Sequence, residues 1–320
     1  MGWNFSWTGR KCQTINHQYI LKKLITELHN SASTMIARAI RLSRFTTTSH
    51  RFLSITPTDL GARQPALDQY FPNSFEAGTC APLANAILTK QGFTPESTLF
   101  ATSVCPDEIN ADCPEYDISN TMERHWGEQF PLGGLAGMPF AGKTGWGAFA
   151  AHVPVGGDIV LLFAPHCGIS FEGNPGSVQR LGQPTPSTCC GAAVAAFNHI
   201  QAGNQVTTDP FDMQQSYLNE ATLRRMKDVE TLSLAKGGND MVGMTHMLYS
   251  EMQEYFKNIV NMGFGGRLAV IGGIQINLSE PHRDRFMPLT FEVMEQNGTV
   301  TDYLKELVPG ETSQSLFPLK

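Results

Sequence analysis

Cys105, His166 and the adjacent pair Cys189–Cys190 are the residues of this sequence best suited to hold a metal ion. A Cys-His-Cys set whose fourth position is left to water is a catalytic zinc arrangement, with thiolate sulfurs about 2.3 Å from the metal. Two thiolates and a neutral imidazole balance the 2+ charge. Zinc then lowers the pKa of bound water toward about 7, so hydroxide forms at neutral pH. Asp107 follows Cys105 by two residues in CPDEIN, near enough to orient that water or to occupy its place. The same thiols allow a second chemistry, a cysteine hydrolase in which Cys189 or Cys190 attacks with His166 as base.

Three β-prone apolar runs must position these groups. Thr98–Val104 ends at Cys105, Ile159–Ala164 ends just before His166, and Arg267–Leu278 is apolar on both faces, as a central strand of a covered sheet must be. Helix-like stretches lie between them, at Pro210–Met226 and Gly243–Val260, and GAAVAAFNHI after Cys190 is strongly helix-forming, with Gly191 allowing a tight entry. This alternation predicts an α/β fold with a mainly parallel central sheet covered by helices. Ligands in such folds gather beyond the carboxyl ends of the strands, where Cys105 and His166 both fall.

A competing motif is GMPFAGKTGWG, residues 137–147, which satisfies the nucleotide-binding pattern G-x-x-x-x-G-K-[ST] through Gly137, Gly142, Lys143 and Thr144. A phosphate cradle of that kind joins a buried strand to a long helix. Here QFPLGGLA upstream is broken by Pro131, Gly133 and Gly134, and Gly145, Gly147 and Pro154 leave room downstream for only a short helix. The segment reads instead as a glycine-rich loop over the metal pocket, with Met138, Phe140 and Trp146 as an apolar wall. His125 and His152 are candidates for moving protons.

The chain has 320 residues, 41% of them hydrophobic and 16% charged, enough for a substantial core. No window approaches the roughly eighteen apolar residues of a membrane span. The net charge of −6 is uneven: residues 1–54 carry +7, leaving −13 on the remainder. A basic head can be a nucleic-acid arm, but in MIARAIRLSRFTTTSHRFLS the arginines Arg38, Arg41 and Arg44 form a helical stripe among Ser, Thr and apolar residues, the pattern of an organelle presequence for mitochondrion or plastid. Pro57, Gly61 and Pro65 mark a linker. One domain is expected from residue 55 to 320, with a mobile polar tail from about residue 310. The seven cysteines, odd in number and without a secretory segment, indicate a reducing compartment and metal or thiol chemistry rather than a disulfide scaffold.

The segments CPDEIN, GGLAGMPFAGKTGWGAFAAHVP, FAPHCGI, CCGA, QQSYL and IGGIQIN, spanning about residues 65–295, resemble the low-CO2-inducible LCIB/LCIC family of β-like, or theta-class, carbonic anhydrases. The resemblance implies zinc-dependent, reversible hydration of carbon dioxide to bicarbonate, as in a carbon-concentrating mechanism. It also implies a zinc held by Cys105, His166 and Cys190, with Asp107 as acidic partner of the zinc water, and a homodimer or an assembly with a paralogue. Cys190 is preferred to Cys189 because it abuts Gly191 and the helix start. In the ordinary Cys-x-Asp-x-Arg pattern of β-carbonic anhydrases an Arg follows the Asp, whereas this sequence has Ile109. A cation for Asp107 must then come from elsewhere; Lys143 is the first candidate, with Arg124 and Arg180 behind it. The missing Arg also motivates an alternative, a catalytically silent, zinc-stabilised bicarbonate-binding or assembly protein of the same fold.

Overall fold

The long apolar runs form strands because branched and aromatic side chains suit a pleated surface, and burial on both faces leaves no need for polar alternation. A computed structural model describes residues 59–110, 117–180, 182–280 and 282–317. These residues belong to one compact unit, Thr56–Lys320. The basic N-terminal segment and the organelle expectation attached to it lie outside the described residues.

In chain order the strands are β1 (Phe75–Glu76), β2 (Thr98–Val104), β3 (Gln129–Pro131), β4 (Asp158–Ala164), β5 (His166–Ile169), β6 (Ser177–Val178), β7 (Ser187–Thr188), β8 (Leu268–Leu278), β9 (Arg285–Met294) and β10 (Val300–Asp302). The main sheet runs β1-β9-β8-β4-β2-β3, with β5 continuing beside β8 and β10 beside β9. Pairing is parallel from β3 through β8 and antiparallel at β9 and beyond it. The α/β fold with a mainly parallel covered sheet is therefore the one the sequence predicts.

Successive residues of β4 feed opposite cores. Ile159, Leu161 and Phe163 pack on one face, under the helices Gly142–Ala150, Gly191–Gln201 and Asp240–Ile259. Val160, Leu162 and Ala164 pack on the other, under Ala77–Lys90 and Ile118–Trp126. In β9 the register slips opposite Gly272 and Gly273, and the facing changes with it: Met287 and Leu289 lie in the first core, Phe291 and Val293 in the second. Pro288 sits at this bulge, where its missing N–H interrupts no regular ladder. A Cβ on Gly273 would come within 2.3 Å of the Met287 carbonyl oxygen, so the close approach of β8 and β9 there requires glycine.

Helix boundaries follow their caps. Asn239 Oδ1 accepts from the N–H groups of Met241 and Val242, starting Asp240–Ile259, and Asp117 accepts from Asn120 N–H, starting Ile118–Trp126. The stretch Pro210–Met226, expected as one helix, is Met213–Arg224 followed by a separate helix Met226–Ala235. Pro65, expected in a linker, lies in the first turn of the helix Arg63–Tyr70, where an absent N–H is tolerated. The tail expected to be mobile from about residue 310 is tied down through Phe317: Gln314 N–H donates to Leu289 O, Leu316 N–H donates to Glu292, and Leu316 is fully buried.

His246, on Asp240–Ile259, stacks on Phe71, is 4% exposed and has an unpartnered Nε2. Burial first, then the Lys236 charge, lower its pKa to about 4. A histidine titrating lower when folded than unfolded contributes full stability above about pH 6.5, and that stability is lost as pH falls toward 4. His246→Leu is expected to flatten this acid limb by about 3 kcal/mol at most. Urea unfolding at pH 7 and pH 4.5, compared with the parent chain, measures it.

Candidate metal centre

Parallel pairing of β2 with β4 sets Val104 opposite Ala164, so both chains leave the sheet side by side. Cys105 follows one end directly, and His166 follows the other after Pro165. β5 then runs along β8, with His166 opposite Gln275 and Gly168 opposite Asn277. The third donor arrives through the hairpin β6–β7, whose backbone is stitched to β5: Gly168 N–H donates to Cys189 O, and Gly176 N–H donates to Gly168 O. A Cβ on Gly168 would meet the Ser177 carbonyl oxygen at 2.8 Å and Cys189 Cβ at 2.9 Å, so this contact needs glycine. Cys190 is the N-cap residue of Gly191–Gln201, and the Cys189–Cys190 peptide is cis.

Cys105, His166 and Cys190 converge, with one donor atom from each lying within 4.8 Å of the others, and all three are buried. The two sulfurs are 3.9 Å apart. Tetrahedral zinc with Zn–S near 2.3 Å places two sulfurs about 3.8 Å apart. His166 Nδ1 meets Asn277 Oδ1 at 2.8 Å, leaving Nε2 buried without a hydrogen-bond partner. An orphaned imidazole nitrogen beside two soft sulfur donors fits a divalent metal of the zinc class. Without such a cation the thiols oppose each other's ionisation: the Cys190 hydrogen bond and then burial push the Cys105 pKa far up.

Asp107, His166 and Cys189 also converge within 4.8 Å. Cys189 Sγ, however, lies 3.4 Å from His166 Nδ1 and 3.4 Å from Asn277 Oδ1, on the side of the ring already held by Asn277. That thiol–imidazole contact is what a cysteine nucleophile and its base would make, but here the ring nitrogen facing Cys189 is already engaged by Asn277 Oδ1 at 2.8 Å.

Asp107 lies at the edge of the cluster, its Oδ2 4.0 Å from His166 Nε2. Arg180, carried just beyond β6, grips it with both arms: Nη1 to Oδ1 at 2.7 Å and Nη2 to Oδ2 at 2.9 Å. The guanidinium is itself aimed by Ser187 Oγ at 2.9 Å from Nε, by Thr188 O, and by Glu108 on the far side of Nη1. Burial alone would raise the Asp107 pKa; the Arg180 fork, then His166, hold it below the ordinary carboxylate range.

Arg180, and not Lys143, is therefore the cation at Asp107. Lys143 is near the start of Gly142–Ala150 and lines a separate cleft with Tyr217, Arg224 and Glu251. Its reach from the loop was misjudged because spacing along a chain does not reveal which way a loop turns. The glycine-rich segment does cross the strand ends, since Ser103 Oγ donates to Gly137 O and a Cβ on Gly137 would meet Ala164 O at 2.6 Å. Its preceding turn, Leu135–Gly137, is a single 3-10 turn, which excludes the strand-fed phosphate cradle. Met138 is buried, Trp146 is buried and donates to Asn261 O, and Phe140 packs edge-on against Tyr217. These are core contacts; the apolar residue beside Asp107 is Ile109, whose N–H faces the Asp107 carboxylate and which clusters with Val178 and Cys189. His125 lies on Trp126, and His152 on Phe130, away from the cluster. Asn277 and Arg180 are the residues that sequence reasoning underrated; the former stands in the IGGIQIN motif.

A family model described as limiting CO2-inducible proteins B/C beta carbonic anhydrases matches residues 78–295. The structure is similar to that of PtLCIB4, a homolog of the limiting CO2-inducible protein LCIB, at 31% identity and a TM-score of 0.65, covering 75% of this chain and 98% of that one. Limiting CO2-inducible protein LCIB itself shares the fold, with a TM-score of 0.57 at 24% identity over 75% of this chain and 98% of that one. No curated protein matches the sequence. Among the described residues no helix is long and apolar enough to cross a membrane.

Cys105→Ser and Cys190→Ser are each expected to weaken Co2+ or Zn2+ binding by more than the roughly 10- to 100-fold cost of losing a residue that merely supports a ligand. Cys189→Ser is expected to stay within that smaller range. Competition with a chromophoric chelator measures all three.

Proposed function

Because the chain belongs to the limiting CO2-inducible B/C family of beta carbonic anhydrases, we propose that it catalyses the reversible hydration of carbon dioxide to bicarbonate. Zn2+ would be held by Cys105, His166 and Cys190. The observation that carries this reading is the two-armed Arg180–Asp107 pair set 4.0 Å from His166 Nε2. Zinc bound there supplies the Lewis acidity that lets water lose a proton near neutral pH.

The remaining work falls to the protein. Asn277 Oδ1 accepts from His166 Nδ1–H, which fixes the tautomer that presents Nε2 as a donor to the metal. Asn277 is held in turn by Asp284, which accepts from its Nδ2 at 2.7 Å, and by Asn110, which accepts at 3.1 Å. Asn110 closes the circuit by donating to Cys105 O at 3.0 Å. Asp107, kept ionised by Arg180, is a pure acceptor and can orient a water only through one of that water's O–H bonds. Ile109, which lines the neighbouring cavity, offers an apolar surface that carbon dioxide, with no dipole, tolerates best.

The silent-protein alternative rests on the Arg absent at position 109. Arg180 supplies that charge from another part of the chain, so the active reading is favoured. The organelle address and the homodimer or paralogue assembly are part of the proposal, supported by the Arg-striped head and by the family resemblance respectively.

Stopped-flow hydration of carbon dioxide by zinc-loaded protein tests the reading; a rate no higher than buffer, with zinc bound, overturns it. Arg180→Met is expected to lower the rate about 10- to 100-fold, the usual cost of losing a supporting partner. Lys143→Met is expected to leave it within about twofold, as for a surface change.

A further inference from the structure

A cavity of about 480 Å3 shares Arg180 with the Asp107–Arg180 pair and is lined as well by Ile109, Asp117, Asp284 and His282. Two of these are acids that the mechanism above leaves unused as acids. Asp117 is 3% exposed. Its Oδ2 accepts from Asn120 N–H at 2.8 Å, and its Oδ1 accepts from Gln275 Nε2 at 3.2 Å. Asp284 accepts from Leu278 N–H at 2.8 Å and from Asn277 Nδ2 at 2.7 Å. Gln275 also bonds toward Asp284, so one amide stands between the two carboxyl groups. The oxygen of that amide is buried and finds no donor. A carboxyl O–H beside it would be such a donor, and an unmet buried acceptor costs about 1–3 kcal/mol.

Hydration of carbon dioxide, CO2 + H2O → HCO3− + H+, releases one proton in every turnover, and a buried site must hand it to solvent. We propose that Asp117 and Asp284, bridged by Gln275, form the proton-accepting pair of this reaction, taking up the proton through the cavity that Arg180 lines and releasing it to bulk water. The proposal rests on the hydration reading above. A carboxylate takes the proton and becomes a neutral carboxyl, then returns it to solvent; no electrons move and no further reactant is needed. The cavity volume is ample for the several waters such a passage needs.

The electrostatics suit the task. Burial pushes Asp117 up to about 6, against the pull of its hydrogen bonds. Burial, with the Asp117 charge adding to it and the Leu278 and Asn277 bonds opposing it, pushes Asp284 up to about 7. An acceptor works best when its pKa is near the working pH. The charged groups facing the pair are Arg180 in the cavity lining, Arg63 from the helix Arg63–Tyr70, and Glu280 and His282 from the loop after β8. Arg63 is held by Ser170 O and Ser279 O and acts on Asp284 through its charge alone. Burial, then the Arg63 charge, lower the His282 pKa, so near neutral pH the carboxyl pair and not this imidazole is the better proton acceptor.

Asp284 also steadies Asn277 and through it His166, so Asp117→Asn is the cleaner variant; asparagine keeps one acceptor oxygen for the helix cap, and a turn of the Gln275 amide lets its oxygen accept from the new NH2 group. Exchange of 18O between bicarbonate and water, followed by mass spectrometry on the zinc-loaded full chain, reports interconversion and proton-dependent water release separately. In Asp117→Asn, Asp284→Asn and the double variant, water release is expected to fall about tenfold or more relative to interconversion, and added imidazole is expected to restore it. Independently of turnover, infrared titration is expected to show a carboxyl C=O band appearing between pH 8 and pH 5 in both zinc-free and zinc-loaded protein, and missing from the double variant. Variant ratios equal to the parent's, or no carboxyl titrating above pH 5, overturn the proposal. A zinc-loaded parent with no exchange at all refutes the hydration reading itself.

Discussion

Two thiol sulfurs buried 3.9 Å apart, beside an imidazole nitrogen with no partner, make a site whose charge is settled only by a cation. Each thiolate would otherwise face the other in a medium of low polarity, and the Cys105 pKa rises accordingly. The rest of the architecture serves this convergence. Parallel pairing of β2 with β4 brings Cys105 and His166 to neighbouring strand ends, and the hairpin that folds back onto β5 delivers Cys190 from the third direction. None of the three donors belongs to a flexible side chain at the surface, so the geometry is set by backbone that two cores hold from both faces.

The surroundings divide the polar work between two sides of His166. On one side Asn277, Asn110 and Asp284 form a closed set of hydrogen bonds that fixes the ring and reaches back to the Cys105 carbonyl. On the other, Arg180 holds and turns Asp107, offsetting the burial that by itself would raise that carboxyl's pKa. The hairpin carries both Arg180 and Cys189–Cys190, so the placing of Cys190 and the state of Asp107 depend on the same few backbone bonds to β5. That dependence explains why Gly168, where any side chain would strike Ser177 and Cys189, is integral to the site. The carboxyl groups of the cavity that Arg180 lines extend the same polar seam.

Much of this was legible in the chain alone. Runs such as Thr98–Val104 and Ile159–Ala164 announce buried strands because nothing polar interrupts them, and a cysteine or histidine at the end of such a run sits where parallel sheets expose reactive groups. The ligand types and their motifs, the α/β class and the weakness of the apparent phosphate cradle all follow from local patterns. So does the start of the helix at Gly191. The helix Ala77–Lys90 was not legible, because Pro82 within it and its small residues mask the period, and tertiary packing overrides the propensity.

Which cation meets Asp107 was decided only in three dimensions. In the sequence Lys143 stands ahead of Arg124 and Arg180, but no spacing along the chain records the direction of a turn. The hairpin's antiparallel closure of Ser177 on Thr188 aims Arg180 inward, while the helix beginning at Gly142 carries Lys143 to another cleft. The structure also separates the two adjacent cysteines: Cys190 converges with Cys105 and His166, whereas Cys189 lies on the side of His166 that Asn277 holds. Residue types thus determined what chemistry this chain can offer; long-range backbone pairing, invisible to local pattern, decided which copies of those residues meet.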